Sequence, residues 1–228
     1  IAGSVQSNER PIVHKKKIYD ILYISQYVNS DDNFPWVHKG KHFSHSEIGL
    51  INHNKDEAFI IKTIDEYCNR YNKKSTIALR SLRKERKRYG IKAEVDHVEK
   101  ALNKKFNVIR KRSWDLAAES KLIVANCSNL AFELRSRGSN VLFLPLESTI
   151  SKKYGVDKRT NLMPQKNEIN ICREHNKKLI FKKINFLLSI DKKLKKSPHF
   201  KKQINIIKYD NKNSILKGLI KILLLTKT

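Results

Sequence analysis

The stretch LIVANCSNLAFELRSRGSNVLFL, residues 122–144, decides the fold. Leu122 to Ala125 and Asn140 to Leu144 are short apolar runs, the pattern of strands that are buried on both faces. Between them, Leu130 to Arg137 has helical spacing and is closed by Gly138. This order of strand, helix and strand predicts one unit of a parallel sheet.

The same alternation runs through the preceding residues. Apolar runs predict further strands at 18–25, 75–79 and 106–109, and 3.6-residue spacing predicts helices at 56–71, 94–102 and 114–118. The polar residues 31–54 predict a long loop with at most one short helix. We therefore expect the α/β class, with a doubly wound, Rossmann-like parallel sheet of about five strands and flanking helices.

The organisation along the chain predicts three parts. Residues 1–17 form an interdomain linker, residues 18–164 the Rossmann-like domain, and residues 165–228 a lysine-rich helical C-terminal segment that packs on it. In this last part the pattern predicts helices at 167–175, 178–189 and 214–225, with a short apolar run at 204–209.

The chain is strongly basic, with a formal net charge of +26 and a pI near 10.0. Such a charge favours nucleic acid or an anionic membrane as a partner. Base recognition and phosphate clamps prefer the arginine fork. Here 36 lysines stand against 12 arginines, which disfavours nucleic acid and leaves peripheral attraction to an anionic membrane, for instance through residues 192–202.

Cysteine content and hydropathy bear on the compartment. Cys68, Cys127 and Cys172 are far apart and odd in number, which supports neither a disulfide framework nor a zinc site. No apolar run approaches the roughly 18 residues of a membrane span, and the first residues lack the signal-peptide pattern. We expect a cytoplasmic protein, peripheral at the inner face of the cell membrane, with no metal and no cofactor.

In open parallel sheets, ligands bind beyond the carboxyl ends of the strands, so the residues after each predicted strand are site candidates. Ser128 and Asn129 stand where a strand turns into a helix, so their polar groups and the backbone N–H groups can meet an anion. Glu133 lies about one turn further, where composition alone would make it a surface or capping carboxylate. The other candidates are Ser25, Gln26, Arg80, Ser81 and Arg83.

Residues 113–144 carry a resemblance to a known family. Their order is a helix, a strand that ends in a small polar turn, Ser-Asn-Leu-Ala-Phe-Glu at 128–133, a helix that ends in Arg-Gly, and a strand. This resembles the C-terminal, nucleotide-sugar-binding half of GT-B glycosyltransferases of bacterial surface-carbohydrate (O-antigen and capsule, hence lipopolysaccharide) biosynthesis. Further matches are ILYISQ at 21–26, IALRS at 77–81 and YDNKNS at 209–214.

The resemblance implies roles for the candidate residues. Glu133 would accept hydrogen bonds from the ribose of the nucleotide-sugar donor, and Ser128 with the turn N–H groups would hold phosphate oxygens. Arg80, with Arg83 beside it, would supply positive charge to the leaving nucleotide. Asn129 replaces the usual Thr. No carboxylate lies eight residues either side of Glu133, so the paired glutamates of many retaining members are missing and inversion is favoured.

The resemblance also implies partners. In GT-B enzymes the acceptor site, commonly with the catalytic base, lies on the other, N-terminal half, and IAGSVQSN at 1–8 resembles the end of that half's last strand. We therefore expect the donor half alone, which needs a glycan or lipid-linked acceptor and an N-terminal Rossmann-like domain in cis or in trans. The alternative is a non-enzymatic basic module that binds nucleic acid or an anionic membrane.

Overall fold

The computed structural model describes residues 16–27, 36–38, 41–43, 50–80, 91–126, 128–146 and 169–190. Its strands are β1 Tyr19–Ile24, β2 Trp36–His38, β3 Lys41–Phe43, β4 Ser75–Ala78, β5 Ser120–Ala125 and β6 Val141–Phe143. Its helices are α1 Leu50–Tyr71, α2 Ile91–Leu102, α3 Ser113–Ala118, α4 Asn129–Ser136 and α5 Lys177–Ser189. The predicted segments at 204–209 and 214–225 lie outside the described residues.

Four of the strands form one parallel sheet in the order β4-β1-β5-β6, and β2 and β3 form a separate antiparallel pair. The central strands β1 and β5 are buried over their last four residues, as continuous apolar runs require. The α/β class and the parallel sheet with flanking helices are confirmed.

The two faces of the sheet are covered by different helices. Apolar residues of α1, α2 and α5 pack against one face, where Ile21 and Tyr23 point. Residues of α3 and α4 pack against the other face, with Leu22 and Ile24. Neighbouring side chains of β1 alternate between the two clusters because a strand has a two-residue period. Since helices cover both faces, the sheet is doubly wound.

Helix ends follow their local sequence. After α4, Gly138 has φ +86°, its N–H donates to Arg135 O at 2.9 Å, and Ser139 N–H donates to Leu134 O at 3.0 Å. This is the Schellman arrangement, and it confirms Gly138 as the predicted end of the helix. Asn72 and Asn103 take the left-handed conformation after α1 and α2, a place that asparagine tolerates better than most residues.

The predicted third strand at 106–109 is wrong, so over the described residues the sheet has four strands and not five. Phe106 and Val108 pack into one core cluster and Ile109 into the other, so the alternating burial of a strand is present. The hydrogen-bonded ladder that a third strand would form with β4 is absent from these residues. The N–H of Phe106 donates instead to Glu99 Oε1 at 3.1 Å. Alternating apolar residues in a sequence indicate alternating burial. At 106–109 the apolar side chains are buried by packing alone, without pairing to a neighbouring strand.

Three other predictions need correction. The helix predicted at 167–175 is not formed over its described residues, 169–175: Ile171 makes an isolated parallel bridge with Phe143, next to β6. The loop predicted at 31–54 contains the β2–β3 pair. The helix predicted from residue 56 already begins at Leu50, so Glu57 lies about two turns into the helix and not in its first turn. Within the described parts of the chain, no helix is both long and apolar enough to cross a membrane.

Candidate functional site: the crevice at the carboxyl edge of the sheet

The strand order places the topological switch point of the sheet at the carboxyl ends of β1 and β5, and we call the space beyond these two strand ends the crevice. The chain leaves β1 through α1 on one face of the sheet and leaves β5 through α4 on the opposite face. Two neighbouring strands whose connections diverge in this way form the topological switch point of a doubly wound sheet, where such folds bind ligands. The pairing of Ile24 with Ala125 puts Ser25 and Asn126 side by side at its rim.

The first wall of the crevice is the turn after β1, and it is held by two buried carboxylates. Ser25 Oγ donates to Glu94 Oε1 at 2.5 Å, and the N–H of Gln26 donates to Glu57 Oε1 at 2.8 Å. Glu57 and Glu94 are each only 1% exposed. Of the predicted candidates, Ser25 and Gln26 therefore lie in an ordered, hydrogen-bonded turn.

Arg80 belongs to the same wall. Its N–H donates to Glu94 Oε1 at 2.8 Å, and its Nη1 donates to the carbonyl oxygens of Gln26 and Tyr27, each at 3.0 Å. One guanidinium nitrogen thus ties the end of β4 to the turn after β1. Arg80 lies just beyond the carboxyl end of β4, and part of its hydrogen-bonding capacity goes into shaping the wall. Ser81 and Arg83 lie outside the described residues.

The second wall is the turn from β5 into α4. Ser128 is the N-cap residue of α4, with an extended backbone, and its carbonyl accepts the N–H of Phe132 at 3.1 Å. The Ser128 side chain is buried and makes no capping hydrogen bond. Asn129 is exposed as the first residue of the helix, and Glu133 is half-buried one turn later. All three predicted residues of this wall therefore lie on one turn and the helix that follows it.

A family model described as "putative O-antigen biosynthesis protein" matches residues 1–224, nearly the whole chain and both walls of the crevice. The chain belongs to this O-antigen biosynthesis family. Neither the curated proteins nor the solved structures contain a match. Membership of the O-antigen family confirms the surface-carbohydrate part of the resemblance drawn from residues 113–144.

Beneath the first wall, the protein buries a cluster of ionisable groups that the sequence did not reveal. Glu57 Oε1 also accepts the hydroxyl of Tyr23 at 3.2 Å, while Glu57 Oε2 lies 3.9 Å from His97 Nε2. Neither of these last two atoms has a hydrogen-bond partner, although both are buried. The ring of His97 lies 4.9 Å from that of Tyr27.

Burial sets the ionisation of this cluster. Loss of solvent raises the pKa of the Glu57 carboxyl, and it lowers the pKa of the His97 imidazole. Burial and the nearby Glu57 together raise the pKa of the Tyr23 phenol well above its ordinary value. Each shift favours the neutral form, which a buried site at the base of a crevice requires.

The cluster could have been found from only one signal in the sequence. Glu57 and Glu94 stand among apolar residues on two helices, each of which follows a strand-end candidate along the chain. Among the described residues, no group of three or more His, Cys, Asp or Glu side chains is arranged to hold a metal ion. Through its hydrogen bonds from Ser25 Oγ to Glu94 and from Gln26 N–H to Glu57, the cluster fixes the turn that bears these two residues.

Proposed function

We propose that this protein binds a nucleotide-sugar in the crevice between the two walls and takes part in sugar transfer during O-antigen biosynthesis. The observation that carries the proposal is the coincidence of the switch point with Ser25, Gln26, Ser128 and Asn129. Family membership supplies the biological context, and the GT-B resemblance supplies the class of ligand.

The second wall suits the phosphates of such a donor. The N-terminal end of α4 faces the crevice, where the first backbone N–H groups of a helix and its dipole favour an anion. The Ser128 hydroxyl does not cap its own helix, and because the side chain is 2% exposed it would have to turn outward to meet a phosphate. N–H and hydroxyl groups can stabilise the negative charge that develops on a leaving nucleotide. In this proposal, the departure of the nucleotide therefore does not depend on a metal ion bound by these residues.

The nucleoside would lie along α4. Glu133 is one turn into the helix and half-buried, so its carboxylate is an acceptor within reach of a ligand seated at the helix end. A ribose offers two neighbouring hydroxyl donors, which matches the two oxygens of one carboxylate. On the first wall, Arg80 and the buried glutamates would hold the turn in its shape before the donor arrives.

The remaining parts of the reaction come from partners in this proposal. A glycan or lipid-linked acceptor and the base that deprotonates it belong, in GT-B enzymes, to a second Rossmann-like domain, supplied in cis or in trans. Holding donor, acceptor and base together is what lowers the barrier, so the crevice alone binds the donor without transferring sugar.

Calorimetric titration of the 228-residue protein with UDP, GDP, CMP and ADP tests the proposal. One nucleotide should bind, and Glu133→Ala should weaken it by about 1.5 to 3 kcal/mol, the range for losing a charged hydrogen-bond partner. Glu66→Ala is the matched control, because Glu66 lies on the second half of α1, toward the opposite edge of the sheet, and pairs with Lys177. Binding of no nucleotide, or equal binding by both variants, would refute the assignment.

A further inference from the structure

The edge of the sheet opposite to the crevice carries the exposed apolar side chains. We call this surface the amino edge and define it by residues 16–20, 71–75, 103–105, 118–121 and 186–190. Among the described residues, the exposed large hydrophobic side chains are Ile18, Tyr71 and Phe186, which are 49%, 41% and 37% exposed. Ile18 precedes β1, Tyr71 ends α1 and Phe186 lies in the last turn of α5, so all three lie on the amino edge.

Direct contacts make the amino edge one continuous surface. Asp20 N–H donates to Lys74 O at 2.8 Å, which joins the start of β1 to the loop after α1. Lys121 Nζ donates to Asp20 Oδ1 at 2.8 Å, which joins β5 to the same point. At the other end, Asn140 Nδ2 donates to Leu187 O at 3.0 Å and brings the end of α5 to the start of β6.

Lysines surround these apolar side chains. Three of the neighbouring carboxylates are already neutralised within the surface, by the ion pairs Asp20–Lys121, Asp65–Lys104 and Glu99–Lys105. A fourth, Glu119, pairs with Lys111. The exposed lysines of the amino edge are Lys16, Lys17, Lys73, Lys74, Lys104, Lys105 and Lys121, against the two carboxylates Asp20 and Glu119 in the same ranges, so positive charge prevails there even after these ion pairs form.

We propose that the amino edge is a docking surface for an anionic phospholipid bilayer. Ile18, Tyr71 and Phe186 would enter the headgroup region, while the lysines extend their ammonium groups to lipid phosphates. Tyrosine and phenylalanine rings and an aliphatic side chain suit the boundary between lipid headgroups and acyl chains. The phosphate backbone of a nucleic acid has no apolar region that could bury the side chain of Ile18. The crevice then faces away from the membrane, toward a dissolved donor. This inference stands independently of the nucleotide proposal.

Vesicle sedimentation of the 228-residue protein tests the docking surface. Vesicles of phosphatidylcholine with phosphatidylglycerol should retain the protein, and vesicles of phosphatidylcholine alone should retain much less. Lys73→Gln with Lys74→Gln should lower the partition coefficient about thirtyfold, since each lysine near an anionic surface contributes about 1 kcal/mol. Ile18→Ser should lower it severalfold without any change of charge.

The matched control is Lys55→Gln with Lys92→Gln, two exposed lysines near the crevice end of α1 and α2. This pair removes the same charge, and it should change partition less than twofold. Equal losses for both pairs would show that binding follows net charge and would overturn the proposal. The proposal would also be overturned if the Lys73/Lys74 variant kept vesicle binding but lost RNA binding or self-association, because these lysines would then serve a different partner. Thermal unfolding by circular dichroism confirms that each variant is folded.

Discussion

Glu57 gives the crevice a response to pH. Its carboxyl group is 1% exposed, accepts hydrogen bonds from the Tyr23 hydroxyl and the Gln26 N–H, and has one unpartnered oxygen facing His97. Burial raises its pKa above the ordinary 4.5, so the folded state holds the proton more tightly than the unfolded state. The stability that this proton supplies is complete below pH 4.5 and is lost as the pH rises through the folded-state pKa.

Glu57→Gln should remove that loss. Glutamine keeps an oxygen for Tyr23 and Gln26 and carries no charge at any pH. The melting temperature of the variant relative to the parent protein should therefore increase as the pH rises from about 4.5 to the folded-state pKa of Glu57, and it should level off above that pKa. The lowered pKa of His97 adds stability as the pH rises toward about 6.5. Because the Glu57 charge partly offsets this lowering, its removal lowers the His97 pKa further and acts in the same direction as the loss of the buried carboxylate. Thermal scans across this range measure the difference, and a difference independent of pH would contradict the burial of a titrating carboxyl.

At the scale of elements, a substitution at the end of α4 should change the stability of the protein through backbone conformation alone. Gly138 has φ +86°, and a Cβ added there would meet nothing within 4 Å. Gly138→Ala should therefore destabilise the protein by about 1 kcal/mol through backbone strain alone, and Gly138→Asn by less. Urea unfolding of the three proteins provides the comparison. An alanine variant as stable as the parent would mean that the Schellman end is not retained.

The elements that the sequence predicted well are those with two agreeing signals. For β5, α4 and β6, apolar runs, helical spacing and a glycine stop point to the same boundaries, and the structure follows them closely. Residues 106–109 had only alternation, which their packing satisfies without a ladder. Ile171 forms a single bridge, too short to leave any period in the sequence.

The candidate site divides in the same way. Ser25 and Gln26 followed from the rule that ligands bind at strand ends, because a strand end is visible in the sequence. Glu57, Glu94 and His97 are brought together from two helices, α1 and α2, that cover one face of the sheet. Their meeting depends on how each helix is rotated about its axis, and apolar spacing defines that rotation too coarsely to place one carboxylate.

At the scale of the whole molecule, the crevice and the amino edge lie at opposite ends of the same strands. Six residues of β1 separate them by about 20 Å, a distance at which substitutions usually act independently. Lys73→Gln with Lys74→Gln should leave nucleotide affinity within twofold of the parent, and Glu133→Ala should leave vesicle partition unchanged. Measuring both quantities on both variants checks this, and a reciprocal effect would reveal coupling through the sheet.

The central position of β1 also has a consequence for how the chain is made. Tyr19 pairs with Ser120, so the ribosome must add about a hundred residues after β1 before its inner neighbour exists. At a translation rate of about 5 to 20 residues per second, roughly 5 to 20 s pass between the synthesis of Ile21–Ile24 and that of β5. During this interval the apolar side chains Ile21 to Ile24, which the finished protein buries, lack the β5 side of their packing on the nascent chain. Chaperone capture should accordingly peak before residue 120 is synthesised and decline once β5 has left the exit tunnel.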